Sequence, residues 1–182
     1  MMLPHDPASD VVNAFVVAMK QAFNPDDKVQ PPLGGGSTDV RFFASDGALP
    51  TSVWDPESGG LTMGCKAPLL WVRVDRRYRA RSHEVHSAYV GDKSCKDADV
   101  VRALAVEIGV ARCADMSAKP KWSELEREAE ISLDDSWRIE IALCRASAAL
   151  TKAGHAVATD TIAPLGPEGG LIAWTGMAYA SF

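Results

Sequence analysis

The sequence predicts an α+β fold: a mostly antiparallel sheet with helices packed on one face, plus a long loop arm and a C-terminal β-hairpin. Three observations lead there. Apolar residues recur at spacings of three and four near the start of the chain and again around residues 133–148, as on helix faces. Between and after those stretches, residues alternate as in strands. The order helix, strands, helix, hairpin then suits helices gathered on one face of an antiparallel sheet. At 182 residues and 47% hydrophobic content, the chain suits one domain, 1–182, with one core.

The elements follow in order. Residues 7–23 form the N-terminal helix: Val11, Val12, Phe15, Val16, Met19 and Phe23 make one apolar face. Pro7 suits a first turn, and Asn24-Pro25 ends the helix because a residue before proline avoids the α region. Residues 24–66 are the loop-rich arm, built from NPDDKVQPPLGGGSTD and SDGALPTSVWDPESGG around a short strand candidate, DVRFFA. Such a stretch is either an arm or a set of ordered loops packed on its neighbours. Residues 67–182 hold the sheet, a helix and the hairpin. In PLLWVRVDRRYRARS, Leu70, Val72, Val74 and Tyr78 alternate with Trp71, Arg73, Asp75, Arg77, Arg79 and Arg81. ADVVRALAVEIGVARCA reads as a long strand on the alternation of Leu104, Val106, Ile108 and Val110. Ser123 with Glu126 and Ser132 with Asp135 both match capping boxes, so residues 123–153 are two helices or one. Leu133, Trp137, Ile141, Cys144 and Ala148 make the expected buried stripe, with Gly154 at the C′ position. HAVATDTIAP and LIAWTGMAYASF are then the arms of a hairpin joined by LGPEGG.

Composition narrows the function. A net charge of −5 and a pI near 5.3 give no whole-protein basic signature, which disfavours generic nucleic-acid binding and leaves room for a local patch. No apolar run approaches a membrane span. The opening MMLPHDPASD lacks the basic and apolar regions of a secretory signal, so a cytosolic origin is expected. The four cysteines, Cys65, Cys95, Cys113 and Cys144, form no CxxC and read as buried reduced thiols; a Cys95–Cys113 bridge requires oxidising conditions.

The motifs that carry chemistry are incomplete. GPEGG lies between two strands with no lysine or following helix, so it is a hairpin connection rather than a phosphate cradle; LGGGSTD likewise reads as a flexible loop. His83, Glu84 and His86 in SHEVHS fall one residue short of HExxH and lack a third ligand, so this is a solvated loop. No serine sits in GxSxG, and Asp134 and Asp135 read as first-turn acids that favour a helix dipole. No catalytic site, metal or cofactor is expected. Arg73, Arg77 and Arg79 on one strand face beside Trp71 suit DNA, solvent or an ion-paired subunit contact, and arginine's enrichment at interfaces favours the contact. Ile172 and Trp174 give the last strand apolar mass that an open edge could not leave uncovered, so the hairpin arms pack against the same sheet or a neighbouring subunit, and these two residues are interface candidates too.

Taken in order, SVWDPESGG, LLWVRVDRRYR, VEIGVARCA and PLGPEGGLIAW resemble the small head–tail connection proteins of long-tailed actinobacterial phages, over about residues 50–175. Cys95 matches a cysteine common upstream of the "RC" in that family, whereas the closing AYASF departs from its pattern. The resemblance implies a non-catalytic structural virion protein of the phage neck, assembled in the host cytoplasm. It implies a tail terminator forming a hexameric ring, bound to the tail tube protein and head connector proteins. DNA passes through the lumen without sequence-specific binding, and no membrane is involved. The alternatives are a connector or stopper at an adjacent neck position, a stand-alone cytosolic binding domain, or a small enzyme.

Overall fold

The computed structural model describes residues 6–45, 47–50, 67–91, 98–114, 117–168 and 170–182. They form a five-stranded sheet with two helices on one face. The elements are α1 (Ala8–Ala22), β1 (Val40–Phe43), β2 (Leu69–Arg81), β3 (Val100–Cys113), α2 (Trp122–Lys152), β4 (Val157–Glu168) and β5 (Leu171–Ser181). The strand order is β1-β2-β3-β5-β4, antiparallel except for the short β1–β2 pair. The expected α+β class, with helices on one sheet face, is what the chain adopts.

α1 forms because its apolar residues repeat at helical spacing; Val11, Phe15, Met19 and the C-cap Phe23 are all fully buried. Asp6 accepts a hydrogen bond from the Ala8 amide (3.1 Å), satisfying one of the donors a helix start leaves open. The core lies between the helices and the face of the sheet that carries Leu70, Val72, Leu104, Val106, Ile108, Val110, Ala178 and Ala180. The β3 alternation read from sequence is thus the core face.

β5 is an interior strand, paired with β3 on one side and β4 on the other. The terminal strand is therefore covered by its own sheet. β4 is an edge instead: two register shifts interrupt its pairing, and it carries Pro164 within the paired segment opposite Trp174, as edge strands tolerate. Gly166 and Gly170 adopt positive φ at the β4–β5 connection, the backbone role expected of them.

α2 is one helix, with no break at Ser132, and neither proposed capping box starts it. It begins after Lys121, whose amide donates to Glu124 (3.4 Å). It ends as predicted at Gly154: the amides of Gly154 and His155 donate to Thr151 and Leu150 (both 3.0 Å), closing a Schellman motif.

The face of α2 that packs inward is not the one the sequence suggested. Asp135, Arg138, Ile139, Ala142, Leu143, Ala146 and Leu150 are buried. Leu133 and Trp137 are 70% and 49% exposed, Ile141 is half-buried, and Cys144 and Ala148 are exposed. The helix carries apolar residues on two opposite faces, and the richer-looking one faces outward. Trp137→Ala, which a buried stripe would make costly, is expected to cost less than about 1 kcal/mol.

Part of the loop-rich stretch packs on its neighbours. Residues 30–35 lie against α2 and β3 through backbone carbonyls held by Arg112, Arg127 and Arg138. Two glycines of LGGGSTD serve close packing rather than flexibility: a Cβ on Gly34 would stand 2.5 Å from Ile131, and one on Gly36 would stand 2.1 Å from the Phe23 carbonyl; Gly35 between them takes a positive φ. Residues 51–66 of the expected arm lie outside the described residues. So do Cys65 and Cys95. Cys113 is disulfide-bonded, with its partner also outside the described residues, and Cys144 is a free thiol on the exposed face of α2. Neither described cysteine is the buried reduced thiol expected: Cys113 ends β3 half-buried, and Cys144 lies on the outward side of its helix.

Candidate functional site

A buried ionic latch joins α2 to the loop and to β3. Arg138 donates to Asp134 (2.7 Å) and to the carbonyls of Ala22 (2.7 Å) and Gln30 (3.1 Å). Arg112 makes a bidentate pair with Asp135 (2.5 and 2.8 Å) and donates to the carbonyls of Gly34 and Gly35. Burial pushes the Asp135 carboxyl up, and the Arg112 guanidinium works against that shift. Asp134 also accepts from the Leu33 amide (3.0 Å). These aspartates sit mid-helix in ion pairs, not in a first turn as the sequence suggested. The signal that could have revealed them is phase: Asp135 and Arg138 share the helical face of Ile139, Ala142 and Ala146. Every group in the latch is paired, so its chemistry is that of a clamp on the loop.

On the opposite face of the sheet, Trp71 is 1% exposed beneath Phe43, Leu49 and Ala173. Its indole N–H donates to Glu107 (2.8 Å), and Arg73 donates to the second oxygen of the same carboxylate (2.7 Å). Trp71 and Arg73 were candidates for a subunit contact; their partners lie within this chain. Ile172 and Trp174 share the helix side of β5 with Val110 and Arg112 by register. Both are half-buried, and Trp174 donates its indole N–H to Ser132 on α2 (2.8 Å).

The arginine strand is divided. A bulge at Asp75 interrupts the β2–β3 register between Val74 and Arg76. Because side chains alternate with a period of two, one extra residue sends everything beyond it to the other face. Arg77, Arg79 and Arg81 consequently share the helix-side face with Leu104, Arg102 and Val100, their partners on β3, whereas Tyr78 joins the Trp71 face. Arg77 pairs with Asp6 and lies 5.3 Å over the Phe182 ring; Arg81 lies 5.6 Å over Tyr89. Arg79 and Arg102 stand directly opposite each other across the strands, and among the described residues neither has an acidic partner. Opposed like charges destabilise a strand pair. The rung lies beside a small cleft of about 210 Å³ lined by Arg81, Ser82, His83, Asp99 and Val100.

His83 and His86 are exposed, as a solvated loop requires, but Val85 between them is buried and its carbonyl accepts from the Tyr78 hydroxyl. Among the described residues no group of three metal-ligating side chains gathers. Burial raises the Tyr78 phenol to about 12, against the opposing influence of Arg76, which sits 5.3 Å over its ring. A raised folded-state value means that the stabilisation from this group is complete below about pH 10 and is lost as pH climbs towards 12. Burial and the neighbouring Asp160 also push the Tyr179 phenol up. Ultraviolet titration should therefore show late-ionising phenol, part of which is lost in Tyr78→Phe and part in Tyr179→Phe; a wild-type titration completed near 10 would contradict it.

The outer face of α2 completes the candidate surface. Trp122 is 80% exposed, and successive helix residues advance by about 100°. Trp122, Leu133, Trp137, Ile141, Cys144 and Ala148 then fall in one stripe, roughly opposite the buried face. Glu126, Glu130 and Glu140 lie on the same side. Among the described residues, no helix is long and apolar enough to cross a membrane. No protein-family model matches the chain, and no curated protein matches it.

Proposed function

We propose that this chain is a structural virion protein of the phage neck: a tail terminator whose copies close into a hexameric ring. The ring caps the tail tube and joins it to the head connector complex, and DNA passes through the lumen without sequence readout. The protein performs no catalysis and needs no cofactor or metal. It is assembled in the host cytoplasm and resides in the virion. The order of motifs described above supports the neck assignment. The single structural observation that carries the assembly reading is the outer face of α2. Among the described residues, two tryptophans and a leucine stand exposed along this one helix, whereas the other exposed large apolar side chains are spread over α1, loops and strands. Exposed aromatic and aliphatic side chains of that kind, interspersed with glutamates on one helix face, are what an assembly covers.

The test is native mass spectrometry and electron microscopy of the full chain, alone and mixed with the tail tube protein encoded beside it. Closed rings of one size, seated at tube ends, are the expected result. A chain that forms no ring and does not bind tubes, from a gene with no portal, capsid or tail-tube neighbours, would defeat the assignment.

A further inference from the structure

We infer that two surfaces of this chain are halves of one contact: the outer face of α2 in one copy receives the arginine rung of β2 and β3 from the next copy. The inference rests on the ring reading above and adds to it the identity of both faces.

Each half lacks something that the other supplies. The rung holds Arg79 and Arg102 directly opposed, flanked by Arg77 and Arg81 on the same side of the sheet. A strand pair tolerates such repulsion when an acidic partner offsets it. The α2 stripe offers Glu126, Glu130 and Glu140, all exposed, among Trp122, Leu133 and Trp137; Glu130 also accepts from Arg127 (3.1 Å) in a solvent-exposed pair. Arginine is suited to this surface because its guanidinium pairs with carboxylates and stacks on aromatic rings. Arg77 over Phe182 and Arg81 over Tyr89 already show that stacking within the chain.

The lengths agree. Arg77 and Arg81, four residues apart on a strand, span about 13 Å. Glu130 and Glu140, ten residues apart on a helix, span about 15 Å. The alternative occupant of the rung, a DNA backbone, would leave the tryptophan stripe uncovered. A second copy satisfies both surfaces at once. Because the two faces differ, the contact is heterologous, the type that closes into a ring or extends as a filament.

The experiment uses two full-length double variants. One carries Glu130→Lys and Glu140→Lys; the other carries Arg79→Glu and Arg102→Glu. All four positions are exposed or half-buried, and circular dichroism checks that both variants fold. Sedimentation velocity should show self-association weakened roughly 100-fold or more in each variant alone, because like charges then meet across the contact. Mixing the two should restore it, since each supplies the charge the other lacks. Trp137→Ser should weaken association without changing its salt dependence. Rings that persist in both separate variants would overturn the pairing while leaving the ring reading intact. So would salt-sensitive duplex binding that is lost in the Arg79→Glu, Arg102→Glu variant while its rings remain. A wild-type chain monomeric at every soluble concentration would overturn the pairing as well; binding of that monomer to tube ends would then decide the neck assignment separately.

Discussion

Arg138→Ala is expected to lower folding stability by about 3–5 kcal/mol, the usual cost of removing one partner from a buried ion pair. Urea unfolding of the purified chain measures it. Arg138 is 4% exposed and satisfies three acceptors from three parts of the chain: Asp134 on its own helix, the end of α1 at Ala22, and the loop at Gln30. Truncation leaves a carboxylate and two carbonyls without their donor in a dry site, which costs more than the pair's own net contribution. The neighbouring Trp137→Ala removes a larger side chain yet is expected to cost far less, because that ring stands half in water. A reversed order of these two losses would mean that α2 packs through its other face.

Trp71→Ala is expected to cost about 3–5 kcal/mol, as for large aromatic truncations in a core. The ring sits against Gly109 on the neighbouring strand, where a Cβ would come within 2.1 Å of it. Glycine weakens a strand by its conformational freedom, and here the close approach of the indole accounts for it. Gly109→Ala should therefore destabilise by roughly 1–3 kcal/mol, the range for overpacking. In a Trp71→Ala background the same change should be nearly neutral, because the vacated space accepts the methyl group. Additive losses in this double-mutant cycle would show that the two residues do not share the space.

Local features of these elements were legible because local physics controls them. The faces of α1 and of β3, the Schellman end at Gly154 and the positive-φ glycines of the hairpin follow from periodicity and backbone preference within a few residues. The latch was not legible in the same way. Arg112, Asp135 and Arg138 are charged residues at positions where periodicity expects apolar ones, and they find partners up to 116 residues away. Nothing in the neighbourhood of Asp134-Asp135 reveals that the loop at Gly34 will close over it.

The sequence by itself determined that this chain has an α+β fold, and it marked which stretches are helical and where the long strands run. Two of the choices it left turn on which side faces inward, and only the tertiary structure decided them. α2 has apolar residues on opposite sides; the side that turned inward is the one whose aspartates and arginine complete the loop clamp, leaving Leu133 and Trp137 in solvent. Arg77, Arg79 and Arg81 of β2 could occupy either sheet face; one bulged residue at Asp75 sent them to the helix side, with Arg79 opposite Arg102, and left Arg73 beside Trp71. In both cases the local pattern is nearly symmetric, and a half-turn of a helix or a one-residue shift in a strand exchanges inside for outside. Partners distant in sequence break that symmetry.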